Sequence, residues 1–368
     1  MAGRNSKVRY AVVGLGHIAQ AAVLPAFAHA QRNSRLVAIV SGDPIKRREV
    51  AKKYQLDQAY SYAEYERCLE NVDAVYVALP NSMHAEYTIR AARARVHVLC
   101  EKPMAVSVHE CRRMINACEK YRVKLMIAYR LHFEEINLRA VDLVRQGRIG
   151  SPKFFNSSFA MMVRGGNIRT QTELGGGTLY DIGVYCINAA RYLFRSEPVE
   201  VLAMSVHSGA QELSEIDEST GAILRFTKGR LAAFVTSFNA WDVSSYRIVG
   251  TKGQIHVDPA YEYAEGLGFE LIANGKKTRK TVGKRDQFAP QLLYFSDCIR
   301  NDRKPEPSGE EGMQDVRIIQ ALYRSTKTGR AVRIQSSADR KRPSSAQRIR
   351  RPGVRKPRLV KAASARQG

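Results

Sequence analysis

Three short stretches carry groups that chemistry could use. Residues Gly14-Leu15-Gly16-His17-Ile18-Ala19 fit a G-x-G-x-x-[G/A] loop, Glu101-Lys102-Pro103 holds an ammonium beside a proline, and Asp181 and Tyr185 stand four residues apart. In such a loop the first glycine permits a tight turn, the second lets the backbone approach a pyrophosphate, and the small third residue allows close helix-to-strand packing. A helix N-terminus behind the loop favours the phosphate charge. On a helix, residues four apart share a face, so Asp181 and Tyr185 point together into one space. An ammonium, a carboxylate and a phenol suit work at an oxygen where charge develops and a proton moves.

The elements that must position these groups follow from the apolar pattern. Short β-rich runs at 8–14, 36–40, 74–79, 96–100 and 125–129 alternate with helical patterns, the first interrupted by Pro25, then 44–54, 83–93 and 108–121. Apolar strands alternating with helices specify parallel βαβ units, hence an α/β doubly wound sheet. The glycine loop then follows the first strand, and Glu101-Lys102 falls at the carboxyl edge, where such sheets place their ligands. Leu79-Pro80-Asn81-Ser-Met-His84 and Tyr129-Arg130-Leu-His132 end two more strands at that edge. Beyond 135–146 the texture changes to longer strands at 153–162, 199–207, 219–226, 230–238 and 246–249. One strong helix, 179–194, and two later ones, 288–300 and 314–327, are expected to pack on that mainly antiparallel α+β sheet. The division reads as a nucleotide-binding domain over 1–130, a substrate and oligomerisation domain over 131–335, and a tail over 336–368.

The second strand ends in Ser41-Gly42 rather than in an acid, and Lys46, Arg47 and Arg48 follow. Ser41 and Lys46 suit a 2'-phosphate, which favours NADP over NAD, with Asp43 as the contrary observation.

The formal charge is +24, and the segment from Ser336 onward contributes eleven Lys or Arg against Asp339 alone. With Pro343, Pro352, Gly353 and Pro357 and little apolar periodicity, it reads as a disordered, solvated appendage. It carries no groove-reading motif, and polyanion binding by charge alone is the lesser reading. The six cysteines are scattered, without metal-ligand spacing, so no metal is expected and reduced thiols in a cytoplasmic protein are. No apolar run approaches the roughly 20 residues that cross a bilayer.

In the order of these motifs, from Gly14-x-Gly16 and Ser41-Gly-x-x-x-Lys46 through Leu79-Pro-Asn-Ser-x-His84 and Glu101-Lys102-Pro103 to Gly175-Gly-Gly and Asp181-x-x-x-Tyr185, then Gly309-Glu-Glu-Gly-Met-Gln-Asp-Val-Arg317, the chain resembles the glucose-fructose oxidoreductase/inositol dehydrogenase (Gfo/Idh/MocA) family, and within it the glucose-fructose and aldose-aldose branch. The resemblance covers residues from about 7 to 334. It implies a Rossmann domain followed by an open-sheet domain, and hydride transfer between NADP and a sugar or polyol carbon in the cleft between them, in a dimer or tetramer. It implies Lys102 orienting the substrate oxygen and steadying its charge, Tyr185 as general acid/base with its pKa depressed by Lys102, and Asp181 fixing substrate hydroxyls. Residues Gly14, Leu15, Gly16, His17, Ile18, Ser41, Gly42, Lys46, Leu79, Pro80, Asn81, His84, Glu101, Lys102 and Arg130 would meet the cofactor. Where many relatives, notably inositol dehydrogenases, carry His, Tyr185 points to the aldose-type branch. Ile168-Arg169 stands where that branch has Trp-Arg, and the basic tail has no counterpart in the family pattern. A sugar-responsive regulator without turnover, or a dehydrogenase of dihydrodiols or bilins, are the alternatives.

Overall fold

The computed structural model describes residues 6–163, 165–335 and 342–366. The chain divides into two compact units: Met1–Arg130 with Asp286–Met313 and Ile349–Ser364, and Leu131–Arg285 with Gln314–Arg348 and Ala365–Gly368.

The first unit holds a parallel sheet of β1 (Val8–Val13), β2 (Ser34–Val40), β3 (Gln58–Tyr60), β4 (Ala74–Val77), β5 (His97–Cys100) and β6 (Leu125–Ile127), in the order β3-β2-β1-β4-β5-β6. Every residue of β4 and β6 is buried, as strands covered by helices on both faces require. The order reverses direction beside β1, which puts the glycine loop at the switch point of the sheet. The helix after β1 is not broken by Pro25. Residues 17–29 are helical throughout, with a π-turn at Ala19–Val23 in which Leu24 N–H bonds the Ala19 carbonyl. The wider turn just before the proline accommodates a residue that has no N–H to give.

A second departure concerns helix Ala289–Arg300, expected on the antiparallel sheet. It belongs to the first unit, where Tyr10 Oη lies 2.8 Å from Ser296 Oγ and Asn33 Nδ2 donates to the Leu293 carbonyl at 2.9 Å. A helix's apolar stripe does not say which sheet it covers; the polar partners on β1 and the residues before β2 decide it.

The second unit is a nine-stranded sheet of β7 (Pro152–Ala160), β8 (Pro198–Val206), β9 (Ser219–Phe226), β10 (Arg230–Ser237), β11 (Val243–Gly250), β12 (Gly253–Val257), β13 (Leu267–Ala273), β14 (Lys276–Val282) and β15 (Val332–Arg333). Its order is β14-β13-β12-β11-β7-β10-β9-β8-β15. All pairings are antiparallel except β10 with β7. Strands β12 to β14 escape sequence reading; for β14, Lys-Lys-Thr-Arg-Lys-Thr-Val, the reason is a charged edge-strand composition that blocks edge-to-edge pairing and hides the strand pattern. The register puts Leu202, Ile223, Leu231, Val235, Phe154 and Val243 on one face, and all six are exposed.

The tail corrects an expectation. Of 336–368, residues 336–341 and 367–368 lie outside the described residues, whereas 342–366 are held by specific bonds rather than loose. Arg342 pairs with Glu197 at 2.5 Å, Arg351 with the His29 carbonyl at 3.0 Å, and Arg366 with Glu262 at 2.6 Å. Composition signalled solvation, but these guanidinium partners come from distant parts of the chain.

Candidate active site

In the first unit the glycine loop leaves β1 in a conformation only glycine adopts readily. Gly14 has φ +95° and its N–H bonds the Val40 carbonyl at 2.9 Å, while a Cβ there would sit 2.4 Å from the Ala78 carbonyl oxygen. A Cβ on Gly16 would meet nothing within 4 Å. Backbone strain therefore fixes Gly14, whereas Gly16 faces open space at the N-terminus of the helix that begins with His17 and Ile18. That is the cradle a pyrophosphate needs. Leu15 is buried beneath it.

At the end of β2, Ser41 is buried and its Oγ accepts from Asp43 N–H at 3.3 Å. Asp43, the acid that spoke against NADP, is the N-cap of helix Pro44–Tyr54: its Oδ1 accepts from Ile45 and Lys46 N–H at 2.8 and 3.1 Å. The side chain folded over the Ser41-Gly42 turn is that of Arg47, whose Nη1 donates to the Ser41 carbonyl at 2.7 Å and the Gly42 carbonyl at 3.3 Å. Lys46 is half-buried beside it.

The loops after β4 and β5 are tied together by His84. Its Nδ1 lies 2.9 Å from the Pro103 carbonyl and its Nε2 2.9 Å from the Leu79 carbonyl. With full burial lowering its pKa, the neutral ring donates to one of these two carbonyls and packs against the other, which sets Leu79, Pro80 and Asn81 against Lys102 and Pro103. Glu101 is buried too, accepting from Tyr76 Oη at 2.7 Å and from Lys102 N–H at 3.3 Å; burial raises its pKa, opposed by the Lys102 charge. Arg130 is buried with Nη1 2.5 Å from Gln287 Oε1, a partner supplied by the returning segment. Lys102 itself is half-buried.

In the second unit the glycine triplet leads into the helix that carries the other two groups. Gly177 has φ +112°, and a Cβ there would lie 2.5 Å from Tyr323 Oη and 2.8 Å from Asp217 Oδ1, so the turn admits no side chain. The helix opens with a π-turn, Leu179–Gly183, and continues as Val184–Phe194. Ile182, Gly183, Val184 and Cys186 are buried, whereas Asp181 and Tyr185 are half-buried on the face that remains accessible. The π-turn contains Asp181 and ends two residues before Tyr185, and π-turns are frequent at functional sites. Tyr185 lies among aromatic rings, with centroids 5.6 Å from Phe159 and 5.8 Å from Tyr261.

Arg169 escaped selection as a site residue in sequence reading. Its Nε donates to Asp181 Oδ2 at 2.6 Å and its Nη1 lies 3.3 Å from Asn167 Oδ1. The available signal was position: it precedes the glycine triplet by a short spacer. His132, a pocket candidate by sequence, is instead buried in the second unit, 2.8 Å from Asn188 Oδ1 and edge-on to Tyr192. Asn188 donates in turn to Asp315, which also accepts from the buried Arg191 at 2.5 Å. This network anchors the helix from below.

The model of the GFO_IDH_MocA oxidoreductase family with NAD-binding Rossmann fold matches residues 8–129, and that of the GFO/IDH/MocA C-terminal domain matches residues 137–256. The chain belongs to the Gfo/Idh/MocA family. It is thus an oxidoreductase with the family's two folds, as the resemblance implied. Among the similar members is a D-xylose 1-dehydrogenase [NADP(+)] from Haloarcula marismortui, 31% identical over 90% of this chain and 94% of that one. A solved aldose-aldose oxidoreductase from Caulobacter crescentus, complexed with glycerol, is 38% identical with a TM-score of 0.85, covering 89% of this chain and 100% of that one. A 3-ketoreductase from Actinomadura kijaniata, solved with NADP and TDP-benzene, is 26% identical with a TM-score of 0.79, covering 87% and 98%. This Gfo/Idh/MocA chain has no helix, among its described residues, that is long and apolar enough to cross a membrane.

Proposed function

We propose that this chain is an NADP-dependent oxidoreductase of sugars or polyols, with Lys102, Asp181 and Tyr185 as its catalytic set. The observation that carries the reading is the setting of Tyr185: a phenol one turn after a carboxylate, both on the accessible face of a helix whose neighbours are buried, in an oxidoreductase 38% identical to an aldose-aldose oxidoreductase. The cofactor reading is supported by Asp43 being engaged as a helix cap, by Arg47 over the Ser41-Gly42 turn, and by an NADP(+)-named relative.

When bound, the nicotinamide supplies or accepts the hydride. The chain's own residues manage the oxygen: Lys102 stabilises negative charge on it, Tyr185 gives or takes its proton, and Asp181, held by Arg169, accepts hydrogen bonds from neighbouring hydroxyls. Gly14, Leu15, Gly16, His17 and Ile18 would hold the pyrophosphate, and Ser41, Gly42 and Lys46 would hold the 2'-phosphate. Leu79, Pro80, Asn81, Glu101, Lys102 and Arg130 would border the remainder, with His84 packed between the loops that carry Leu79 and Pro103. Two further readings belong here. The exposed apolar face of the large sheet supports self-association as a dimer or tetramer. Six buried cysteines, none in a disulfide, support a reducing, cytoplasmic location.

The test is purification without added nucleotide, identification of any bound cofactor, and a panel of aldoses, ketoses, inositols and dihydrodiols read by reduced-nicotinamide absorbance. Turnover of an aldose with NADP is expected. Nucleotide binding without turnover of any substrate overturns the reading in favour of a sensor.

A further inference from the structure

Residues Ile349–Ser364 count with the first unit and run along its nucleotide elements. The Arg351 carbonyl accepts from Asp286 N–H at 3.3 Å, and Lys53 Nζ donates to the Arg358 carbonyl at 2.9 Å. Val360 is then pinned through both backbone groups. Its N–H donates to Gln20 Oε1 at 2.8 Å and its carbonyl accepts from Gln20 Nε2 at 2.9 Å, while the same Nε2 lies 2.9 Å from the Leu15 carbonyl. Gln20 is thus a buried clamp between the glycine loop and the C-terminal segment. One residue further, Lys361 Nζ lies 3.7 Å from Asp43 Oδ2. Lys361 has φ 45°, a region that side-chain-bearing residues seldom occupy, so its placement is imposed by its contacts rather than by local preference.

The two anchors flank the place where a dinucleotide's adenosine end would lie: Leu15 in the phosphate loop and Asp43 beyond the second strand. The space over Gly16 stays open, so the segment borders the pyrophosphate position without filling it. Charge points the same way. The segment from Ile349 to Ser364 carries six Lys or Arg and no acid, and the one set against Asp43 is where a bare carboxylate would repel a 2'-phosphate.

We propose that the C-terminal segment is a strap over the adenosine end of the cofactor site, in which Lys361 offsets Asp43 and binds the 2'-phosphate of NADP. The strap slows release of the nucleotide, and Lys361 selects NADP over NAD. This rests on the cofactor reading above.

Binding of NADPH and NADH is followed by nucleotide fluorescence, and release by rapid chase, for the full chain, for Lys361→Glu and Lys361→Ala, and for a chain ending at Arg348. Lys361→Glu is expected to raise the NADPH Kd about tenfold or more, the scale of one charge-assisted hydrogen bond, and to change that for NADH by less than about twofold. The shortened chain is expected to release both nucleotides faster. Should it fail to fold, the point variants still decide, because the Lys361 side chain is 54% exposed and melting will report an intact fold. An unchanged NADPH-to-NADH preference in Lys361→Glu overturns the role of Lys361. Release from a folded shortened chain at the wild-type rate or slower overturns the strap. A wild-type chain that prefers NADH overturns the cofactor reading instead, and the strap then stands or falls on whether shortening speeds NADH release.

Discussion

Arg169 Nε sits 2.6 Å from Asp181 Oδ2, joining the loop before the glycine triplet to the helix that carries Tyr185. The pair is mostly shielded, with side-chain exposures of 27% and 15%, so the guanidinium acts on the carboxylate with little screening from water. It holds the Asp181 carboxylate in place as an acceptor.

Replacing Arg169 by alanine should therefore weaken substrate use more than cofactor binding. A lost charge-assisted hydrogen bond is worth about 1.5 to 3 kcal/mol, or roughly ten- to a hundredfold in kcat/KM. Steady-state kinetics with the best aldose, beside an NADPH titration, will measure it. Arg169→Lys should recover part of the loss; full activity in the alanine variant would remove Arg169 from the site.

Tyr185→Phe removes one hydroxyl from an aromatic cluster and leaves the ring contacts with Phe159 and Tyr261 in place. A drop in kcat of about 10²- to 10⁴-fold is expected, with NADPH affinity and melting temperature unchanged. Retention of more than about a tenth of the rate would mean another group moves the proton.

The two loop glycines should fail differently. Gly14→Ala drives a Cβ into the Ala78 carbonyl and is expected to cost stability, read as a lowered melting temperature. Gly16→Ala meets no protein atom and should melt like the wild type, yet bind NADPH at least about tenfold more weakly because the methyl occupies the phosphate's approach. Wild-type affinity in Gly16→Ala would mean the loop holds no phosphate.

His97, at the start of β5, accepts from Lys124 N–H at 2.9 Å through Nδ1. Burial, reinforced by the Lys124 charge, lowers its pKa from 6.5 to about 4. The unfolded chain then binds the proton more readily than the folded one. Stability is fully present above pH 6.5 and is lost as pH falls toward 4, by on the order of 3 kcal/mol. Denaturant titrations at pH 7 and pH 4.5 should show the loss, and His97→Gln should flatten it. The same slope in both proteins would assign it to other groups.

Much of this protein is written in local pattern. The glycine loop, the Glu101-Lys102 segment after a strand and the four-residue step from Asp181 to Tyr185 are spacings along the chain, and the apolar period sets the strands and helices on which they sit. What tertiary structure alone decided are relationships between distant residues. Helix Ala289–Arg300 joined the first unit because Tyr10 and Asn33 offered it buried partners, and Asp181 gained Arg169 across a loop. Residues 349–364 of the basic tail, which composition marks as solvated, are held in place where Gln20 meets both backbone groups of Val360, and no sequence pattern records a hydrogen bond that spans 340 residues.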